Sequence, residues 1–420
     1  MTAKPAGAGA LPRVVLLVFA LCFVTGPLLR PLARPYAYSD FATFYSAARC
    51  FASGTDPYDT GSLRTSGAPA FEGWIGRYFY PPPFAAVIIR PLASLPFEWS
   101  RRVWVLVEAI AYAAGLVLLG GLFLAAVPAW RIAIVAALGA AYAPMGLDLK
   151  LGSVSGFLLL LLALFFRARQ RGRLKTAGVA LAAAVLLKVS PVLLVAYLCL
   201  RGEWRLVRRV ALAGVLLVLV CLPWTGVQPY VAYFTRVVPE LASANFSWFT
   251  NQSVDAFFWR LFVPNPDTSP WLVSPAAHRI ATALVNGSLL AGLVAVAWRA
   301  RKASPFAFEP LAWEMALVLV TALLVARVTW EYMLVLALPS FILWVGLLLR
   351  GTVGTRSGLA VGLAYALCAL PFPYTEAPQR AGVGLLFETP RTYGLLLLYV
   401  LTWRRLVQRE NPARIHGETS

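Results

Sequence analysis

The sequence predicts an all-α integral membrane protein, a polytopic bundle of about 12 transmembrane helices. Its 420 residues are 60% hydrophobic and only 13% charged. The mean hydropathy is +0.72, and apolar runs of the roughly 20 residues that a helix needs to cross a bilayer recur from one end of the chain to the other. We therefore expect a single transmembrane domain over residues 1–405, followed by a short basic cytoplasmic tail over residues 406–420.

The basic residues indicate where the loops lie. The formal net charge is +19, but Lys and Arg occur in short clusters between apolar runs, which is the pattern of loops held on the cytoplasmic side of a membrane. This pattern favours anionic lipid headgroups as partners and not nucleic acid. The two histidines, His278 and His416, and the five cysteines show no metal-ligand or disulfide spacing. We therefore expect neither a metal site nor a cofactor.

The first elements are predicted to lead from the cytoplasm to the outside. Residues 13–29 are interpreted as a retained first span, because no convincing cleavage site follows them. Residues 30–80 then form the first external loop. The stretch 84–96 is short for a span and is bounded by prolines, so we do not expect it to cross fully. The later apolar runs lie near residues 103–125, 131–147, 153–167, 176–200, 210–226, 276–298, 311–327, 331–349, 357–372 and 391–405.

The arginine clusters give the orientation. Those at 167–173 and 201–209 flank the apolar segment 176–200, and both lie on the cytoplasmic side only if that segment goes out and comes back. We predict that it turns at Lys188-Val189-Ser190-Pro191, where proline ends the helix and a wet, protein-lined cavity accommodates the lysine. Both chain ends are then cytoplasmic, and the long loop 227–275 is external.

This orientation places the unusual polar motifs on the external side. Asp40 lies on an aromatic-rich segment directly after the first span, where it could cap a short interfacial helix or belong to a functional site. The functional interpretation is favoured because the other motifs converge on the same side. They are residues 80–83, residues 152–155, Lys188, residues 251–253 of the long external loop, and residues 327–331.

Each of these groups also has a structural interpretation. Lys188 could bind the phosphate of a lipid carrier, or it could pair with an acidic residue on a neighbouring span. Arg260 could contact substrate or snorkel to lipid phosphates. Arg327 and Glu331 could pair with each other or line the cavity. The prolines at 81–83 cannot form a helix, and they could simply stiffen the entry to a membrane segment.

The residue types restrict the chemistry. Acyl transfer by a Ser-His-Asp set is disfavoured because histidine is nearly absent, and nucleotide phosphoryl transfer is disfavoured because no glycine-rich phosphate loop occurs. A single carboxylate acting as a base on an incoming hydroxyl fits the pattern, with cationic side chains that stabilise a phosphate leaving group. A transporter or flippase for a lipid-linked sugar is an alternative, although the sequence has no convincing internal repeat of the kind that transporters often show.

The segment from Ser39-Asp40-Phe41 through Tyr45, followed by Gly54-Thr55-Asp56-Pro57-Tyr58, resembles the opening motif of glycosyltransferase family 87. The resemblance extends over residues 36–340, through the segments 80–84, 91–96, 152–155, 187–191, 251–253 and 329–331. Members of this family are polyprenyl-phosphate-sugar-dependent transferases with the GT-C fold. The resemblance therefore implies a GT-C-like bundle with external juxtamembrane helices in the first loop.

The resemblance also implies a reaction and a site. One sugar, mannose or the arabinofuranose of some relatives, would move with inversion from a polyprenyl phosphate to a hydroxyl of a glycolipid or cell-envelope polysaccharide. The reaction would occur on the external face of the plasma (inner) membrane. Asp40 matches the catalytic base and Lys188 the conserved lysine, which is expected to bind donor phosphate together with Arg260 and Arg327. The other expected substrate contacts are Tyr45, Tyr80, Ser153, Ser155, Asn251, Gln252, Glu331 and Tyr332.

Two departures from the family pattern affect this expectation. The family usually has Gln and Asn in the motif that is Gly152-Ser153-Val154-Ser155 here, so contacts to donor or acceptor are expected to differ. It commonly has a histidine two residues after the tryptophan, where this chain has Tyr332, which cannot become a cation at neutral pH. Either a changed sugar or acceptor, or an envelope-assembly subunit without activity, would follow from these changes.

Overall fold

The structure is a computed structural model that describes residues 28–33, 40–66, 80–124, 136–137, 139–244, 246–301, 308–372 and 380–408. Within these ranges the chain is helical, and its β contacts are two isolated bridges, Asn251 with Trp330 and Ser269 with Ala381. Five of the described helices are long and apolar enough to cross a membrane: Phe97–Phe123, Trp204–Thr225, Pro275–Ala300, Phe308–Val325 and Glu331–Leu349. The predicted all-α, multi-pass membrane fold is confirmed, while the count of about 12 crossings stays a prediction.

We number the α-helices in chain order. The first half contains α1 (Leu29–Ala33), α2 (Asp40–Ser53), α3 (Thr60–Thr65), α4 (Pro83–Ile89), α5 (Phe97–Phe123), α6 (Ala143–Leu151), α7 (Ser155–Gln170), α8 (Leu174–Leu187) and α9 (Val192–Arg201). The second half contains α10 (Trp204–Thr225), α11 (Gln228–Ala232), α12 (Val238–Ser243), α13 (Val254–Phe262), α14 (Pro275–Ala300), α15 (Phe308–Val325), α16 (Leu338–Leu349), α17 (Thr355–Ala369) and α18 (Pro390–Gln408). Short 3₁₀ segments cover Arg90–Ser94, Glu331–Ala337 and Gly382–Glu388, and a π-helical turn covers Tyr233–Val237.

The chain divides into two compact units. The first unit comprises Met1–Val189 and Arg208–Ala244, and the second comprises Ser190–Val207 and Asn245–Ser420. The expected single domain over 1–405 stays a prediction. The first predicted span, 13–29, lies almost entirely outside the described residues, as do residues 131–135 and the tail from residue 409 onward.

In the first unit, α7 packs along α5 on one side and against α8 on the other. Glycines at the α5–α7 crossing allow the two backbones to approach closely, as small residues commonly do between membrane helices. A Cβ atom on Gly115 would lie 3.2 Å from the backbone nitrogen of Leu160. One on Gly156 would lie 2.6 Å from the carbonyl oxygen of Glu108. Each position therefore excludes a larger side chain without movement of its neighbour.

In the second unit, α15 is the central helix and packs against α9, α14 and α18. Its residues from Leu311 to Leu324 are buried. Glu314 is a charged residue in this interior. Its Oε2 accepts both a hydrogen bond from the Tyr197 hydroxyl at 2.6 Å and one from Arg201 Nη1 at 2.7 Å. Since a buried carboxylate must be paired and hydrogen-bonded, these two contacts fix α9 against α15.

Two irregular segments agree with the sequence prediction. Helix α8 ends at Leu187, Lys188 has an extended backbone with φ −153° and ψ 130°, and α9 begins only at Val192. The predicted break at Lys188 to Pro191 is therefore present. The stretch 84–96 forms α4 and a 3₁₀ turn that ends at Ser94, together too short for a regular span.

Candidate active site

Helix α2 positions the predicted base. Asp40 is its first residue and is half-buried, a position at which the helix dipole favours a carboxylate. Aromatic packing holds α2 against α5. The Phe41 ring lies 6.5 Å from the Trp104 ring and 5.8 Å from the ring of Phe97, the first residue of α5. The Tyr45 ring meets Phe97 edge-on at 5.3 Å. The place of Asp40 is thus set by the buried face of its own helix.

Tyr45 has a hydrogen-bonding role within the fold. Its side chain is 1% exposed, and its hydroxyl donates to the carbonyl oxygen of Leu95 at 2.9 Å. Arg49 Nη1 donates to the same hydroxyl at 3.3 Å. These contacts tie α2 to the turn before α5, which is a different use of Tyr45 from the substrate contact that the sequence predicted.

The Gly152-Ser153-Val154-Ser155 motif forms the connection between α6 and α7. Gly152 has φ +65° and would place a Cβ atom 2.7 Å from Phe41 Cβ. Only glycine combines this backbone conformation with so close an approach. The Ser153 carbonyl accepts a hydrogen bond from Trp104 Nε1 at 2.9 Å, and Ser153 itself is 1% exposed. The motif therefore packs directly against the helix that carries Asp40.

Two buried carboxyl groups lie at the start of α7. Asp148 Oδ1 accepts the backbone N–H of Ser155 at 3.2 Å. Glu108, from the middle of α5, accepts the N–H of Gly156 at 2.7 Å and that of Phe157 at 3.2 Å. Both carboxyl side chains are fully buried. Ser155 thus contributes its backbone to this cluster.

Lys188 joins this cluster from the break after α8. It is half-buried, and its charge interacts most strongly with Asp40. It also interacts with the two carboxyl groups Asp148 and Glu108. The structure therefore brings the predicted base and the predicted phosphate-binding lysine into one charged cluster. Asp148 and Glu108 were not among the predicted site residues, although an acidic residue within or beside an apolar run is itself a signal of function.

Tyr80 lies in a separate polar region of the first unit, where the first loop meets residues 228–243. Its hydroxyl donates to Glu240 Oε1 at 3.4 Å, and the hydroxyl of Tyr58 donates to the carbonyl of Pro81 at 2.9 Å. Arg236 forms an ion pair with Asp56 across the same region. Burial raises the pKa of the Tyr58 phenol above its ordinary value. These contacts hold the loop against the segment after α10.

In the second unit, Asn251-Gln252-Ser253 is a buried hydrogen-bonded hub. Asn251 Oδ1 accepts the N–H of Thr329 at 2.8 Å, and the backbone N–H of Gln252 donates to the Thr329 carbonyl at 2.7 Å. Ser253 Oγ accepts the N–H of Ala256 at 3.1 Å and so caps α13. All three side chains are fully buried. In this geometry the motif fixes the backbone at the 329–331 segment.

Arg260 is enclosed. Its side chain is 0% exposed, and its Nη1 donates to the carbonyls of Ser247, Trp248 and Asn251 at 3.1, 3.1 and 3.0 Å. Burial lowers the pKa of this guanidinium to about 10. The sequence predicted a ligand for donor phosphate; in the structure Nη1 holds the loop that precedes α13, and the phosphate role stays a prediction.

Arg327 is a partly exposed cation whose guanidinium is held in place by neighbouring side chains. Its side chain is 31% exposed, and its Nη1 lies 3.0 Å from Asp255 Oδ2. Asp255 Oδ1 in turn lies 3.0 Å from His278 Nε2, and the Arg327 guanidinium lies over the Trp259 ring at 5.3 Å. This support could not be predicted from the sequence, because its members come from three separate segments of the chain.

Glu331 is also paired outside the predicted motif. Its carboxylate accepts a bond from Arg391 Nη1 at 2.7 Å, and both side chains are almost fully buried. Arg327 and Glu331, for which pairing with each other was one of two interpretations of the sequence, each have an ion-pair partner elsewhere. Tyr332, at the position where the family commonly has histidine, is 8% exposed.

Comparison with known proteins identifies the family. The profile of glycosyltransferase family 87 matches residues 78–327, which is more than half of the chain. Among solved structures, ArnT from Cupriavidus metallidurans bound to undecaprenyl phosphate is 16% identical, with a TM-score of 0.47 over 96% of this chain and 79% of that chain. The apo structure of the same ArnT is 16% identical, with a TM-score of 0.42 over 94% and 77%. No curated protein matches the sequence. The extent of the family match establishes that this chain is a membrane glycosyltransferase and belongs to family 87.

Proposed function

We propose that the enzyme transfers one sugar, mannose in the first instance, from a polyprenyl phosphate to a hydroxyl of a glycolipid or cell-envelope polysaccharide. The reaction takes place on the external face of the plasma membrane. The observation that carries this proposal is that Asp40 and Lys188 belong to one charged cluster in a family 87 chain. A base and a cation at one site are what a displacement of lipid phosphate by a hydroxyl requires.

The proposed reaction is a single displacement. The acceptor oxygen attacks the anomeric carbon while the Asp40 carboxylate takes up the hydroxyl proton. The bond between the anomeric carbon and the phosphate oxygen breaks, and that oxygen leaves with the bonding electron pair. The ammonium of Lys188 stabilises the charge that develops on the leaving phosphate. Because one attack occurs without a covalent intermediate, the anomeric configuration inverts.

Arg327 is proposed as the second cation for the donor phosphate. Its guanidinium is partly exposed and is held by Asp255 and the Trp259 ring, so little conformational freedom is lost when an anion binds. Arg260 is assigned to the scaffold instead, since all of its side chain is enclosed. A lipid-linked sugar transporter, the alternative considered from the sequence, finds no support in the family match.

Sugar transfer by purified protein tests this proposal. The protein is placed in liposomes with radiolabelled polyprenyl-phosphate-mannose and a membrane glycolipid extract, in parallel with a polyprenyl-phosphate-arabinofuranose donor. We expect label in glycolipid with wild type and none with Asp40→Asn. The control is Asp59→Asn: Asp59 is an exposed helix cap that accepts the Ser62 N–H, and asparagine caps equally well.

The outcomes separate the parts of the proposal. Transfer from the arabinofuranose donor alone would show that the donor sugar is arabinofuranose and not mannose, and the proposed single displacement would still hold. Equal transfer by wild type and Asp40→Asn would remove Asp40 as the base. Absence of transfer from both donors, with folded protein, would contradict the proposed donor class.

A further inference from the structure

The helical segment that follows the span α10 has no part in the proposed reaction. It consists of α11, the π-helical turn over Tyr233–Val237 and α12, which follow one another without a gap as segments of 5, 5 and 6 residues. The backbone stays in the right-handed helical region at both junctions. At 1.5 Å per residue this 228–243 helix is about 24 Å long, whereas the hydrocarbon core of a bilayer is about 30 Å thick. The helix is therefore too short to cross the membrane.

The 228–243 helix begins where a span ends. Gly226 has φ +67°, and its N–H donates to the carbonyl of Leu222 at 2.8 Å, so a left-handed glycine ends α10 and allows the chain to turn. Helix α10 is long and apolar enough to cross a membrane. Its exposed apolar side chains are Leu212, Val215, Leu216, Leu219, Val220 and Trp224. Because a spanning helix ends at the membrane surface, the 228–243 helix begins at that surface.

Four apolar side chains form an exposed stripe along the 228–243 helix. They are Val227, which directly precedes the helix, Val231, Phe234 and Val238. Their spacing of four, three and four residues places them on one helical face. Each of them is between 41% and 68% exposed, and Phe234 is the most exposed. The stripe begins three residues after Trp224 of the exposed apolar surface of α10, so the two apolar surfaces adjoin in the chain.

A second face of the helix packs on the protein. Pro229, Tyr233 and Val237 recur every four residues and are buried. The Tyr233 ring lies 6.0 Å from the Tyr58 ring of the first loop, and the Phe234 ring meets the Tyr233 ring edge-on at 5.4 Å. The helix is thus held by its buried face, while the exposed stripe lies on a different face.

Polar side chains occupy a third face. Thr235, Arg236 and Glu240 are exposed. Arg236 forms an ion pair with Asp56, and Glu240 Oε1 accepts a hydrogen bond from the Tyr80 hydroxyl at 3.4 Å. Both contacts join the helix to the first loop. An exposed apolar face beside a polar face is the pattern of a helix that lies in the plane of the membrane–water interface.

We propose that the 228–243 helix lies in the membrane surface at the end of α10, with Val231, Phe234 and Val238 inserted at the boundary between lipid headgroups and acyl chains. The partner is the lipid bilayer, because the stripe adjoins the exposed apolar surface of a span. Through its contacts with Asp56, Tyr58 and Tyr80, the helix holds the first loop at the membrane surface. This inference goes beyond the proposed function and does not depend on sugar transfer.

An environment-sensitive fluorescent amino acid tests the depth of the stripe. It is introduced into the full chain at position 234 or, as the matched control, at position 235 on the polar face. Each protein is placed in nanodiscs of phosphatidylcholine with or without bromine in the upper part of the acyl chains. We expect the probe at position 234 to have blue-shifted emission that brominated lipid quenches, because an interfacial helix buries its apolar face about 5–10 Å into this layer. The probe at position 235 should keep water-like emission.

Two results of this measurement would overturn the proposal. Water-like emission at both positions would show that the stripe lies in solvent. Blue-shifted emission at position 234 that brominated lipid does not quench would show that protein covers the stripe, such as a second copy of this chain.

Hydrogen exchange in nanodiscs tests the tie to the first loop. The double variant Phe234→Gln, Val238→Gln removes apolar side chains from the stripe and leaves the buried face unchanged. We expect faster exchange than in wild type for the backbone amides of residues 55–66, whereas Thr235→Gln, a matched substitution on the polar face, should keep the wild-type rates. Wild-type exchange of residues 55–66 in the double variant would contradict the hold of the helix on the first loop.

Discussion

The contact between Gly152 and the helix that carries Asp40 gives a quantitative prediction for Gly152→Ala. A Cβ atom at position 152 would lie 2.7 Å from Phe41 Cβ, whereas ordinary contacts begin at 3.4 Å. The Phe41 backbone must therefore move by about 0.7 Å, the difference between these two distances. Because Phe41 follows Asp40 directly, the displacement reaches the proposed base.

Two effects of Gly152→Ala lower the free energy of unfolding, and the displacement of Asp40 lowers the rate of sugar transfer. Alanine at φ +65° costs roughly 1–2 kcal/mol in backbone energy. Overpacking against Phe41 adds roughly 1–3 kcal/mol. A displacement approaching 1 Å at a reacting group costs on the order of 100-fold in rate, so a shift of this size predicts a loss of about 10- to 100-fold in kcat.

Gly172→Ala is the matched control. Gly172 has φ +66°, and a Cβ atom added there would have no neighbouring atom within 4 Å, so alanine meets the backbone cost alone. Thermal denaturation in detergent and single-turnover sugar transfer measure the two effects. We expect Gly152→Ala to have a lower Tm than the control and a reduced rate, while the control keeps the wild-type rate. Equal Tm values with full transfer by Gly152→Ala would refute the reasoning from the contact.

Three further substitutions separate scaffold from site. Tyr45→Phe removes one hydrogen bond and should lower the free energy of unfolding by about 1 kcal/mol in a denaturation assay, with donor KM unchanged. Arg260→Met removes the hydrogen bonds of Nη1 to three loop carbonyls, one of which keeps a backbone N–H donor, and should destabilise the fold by roughly 3 kcal/mol or more. Its donor KM per folded enzyme should not change, and a raised KM would restore Arg260 to the phosphate site. Asp255→Asn frees Arg327 and should raise the donor KM about 10-fold at constant kcat, whereas an unchanged KM would remove Arg327 from the donor site.

The sequence predicted the features that depend on local chemistry. Apolar run length gave the helical membrane class, and the missing N–H of Pro191 together with the charge of Lys188 gave the break between α8 and α9. Residues 152–155 were identified in the sequence as a motif, and the structure explains its glycine, because φ > 0 and close packing restrict the residue type there. Each of these constraints is visible within a few residues of chain.

The direction of polar side chains could not be predicted in the same way. Arg260 follows a helix cap in sequence, but which face of α13 is enclosed depends on the loop at Ser247 to Asn251. The support of Arg327 joins Asp255, which lies 72 residues away along the chain, to His278. Such contacts arise from packing between segments that are distant in the chain. Neither the hydrophobic periodicity nor the motif spacing of the sequence predicts them.

The measurement that tests the central claim most directly is equilibrium binding of polyprenyl-phosphate-mannose to Asp40→Asn and to Lys188→Gln in lipid nanodiscs. The proposed roles predict that Asp40→Asn binds the donor with the wild-type Kd but transfers no sugar, since a base is needed only in the chemical step. Lys188→Gln should raise the Kd about 10-fold or more, because the charged contact to phosphate is lost. A lost affinity in Asp40→Asn with an unchanged Kd in Lys188→Gln would contradict this assignment of base and phosphate ligand.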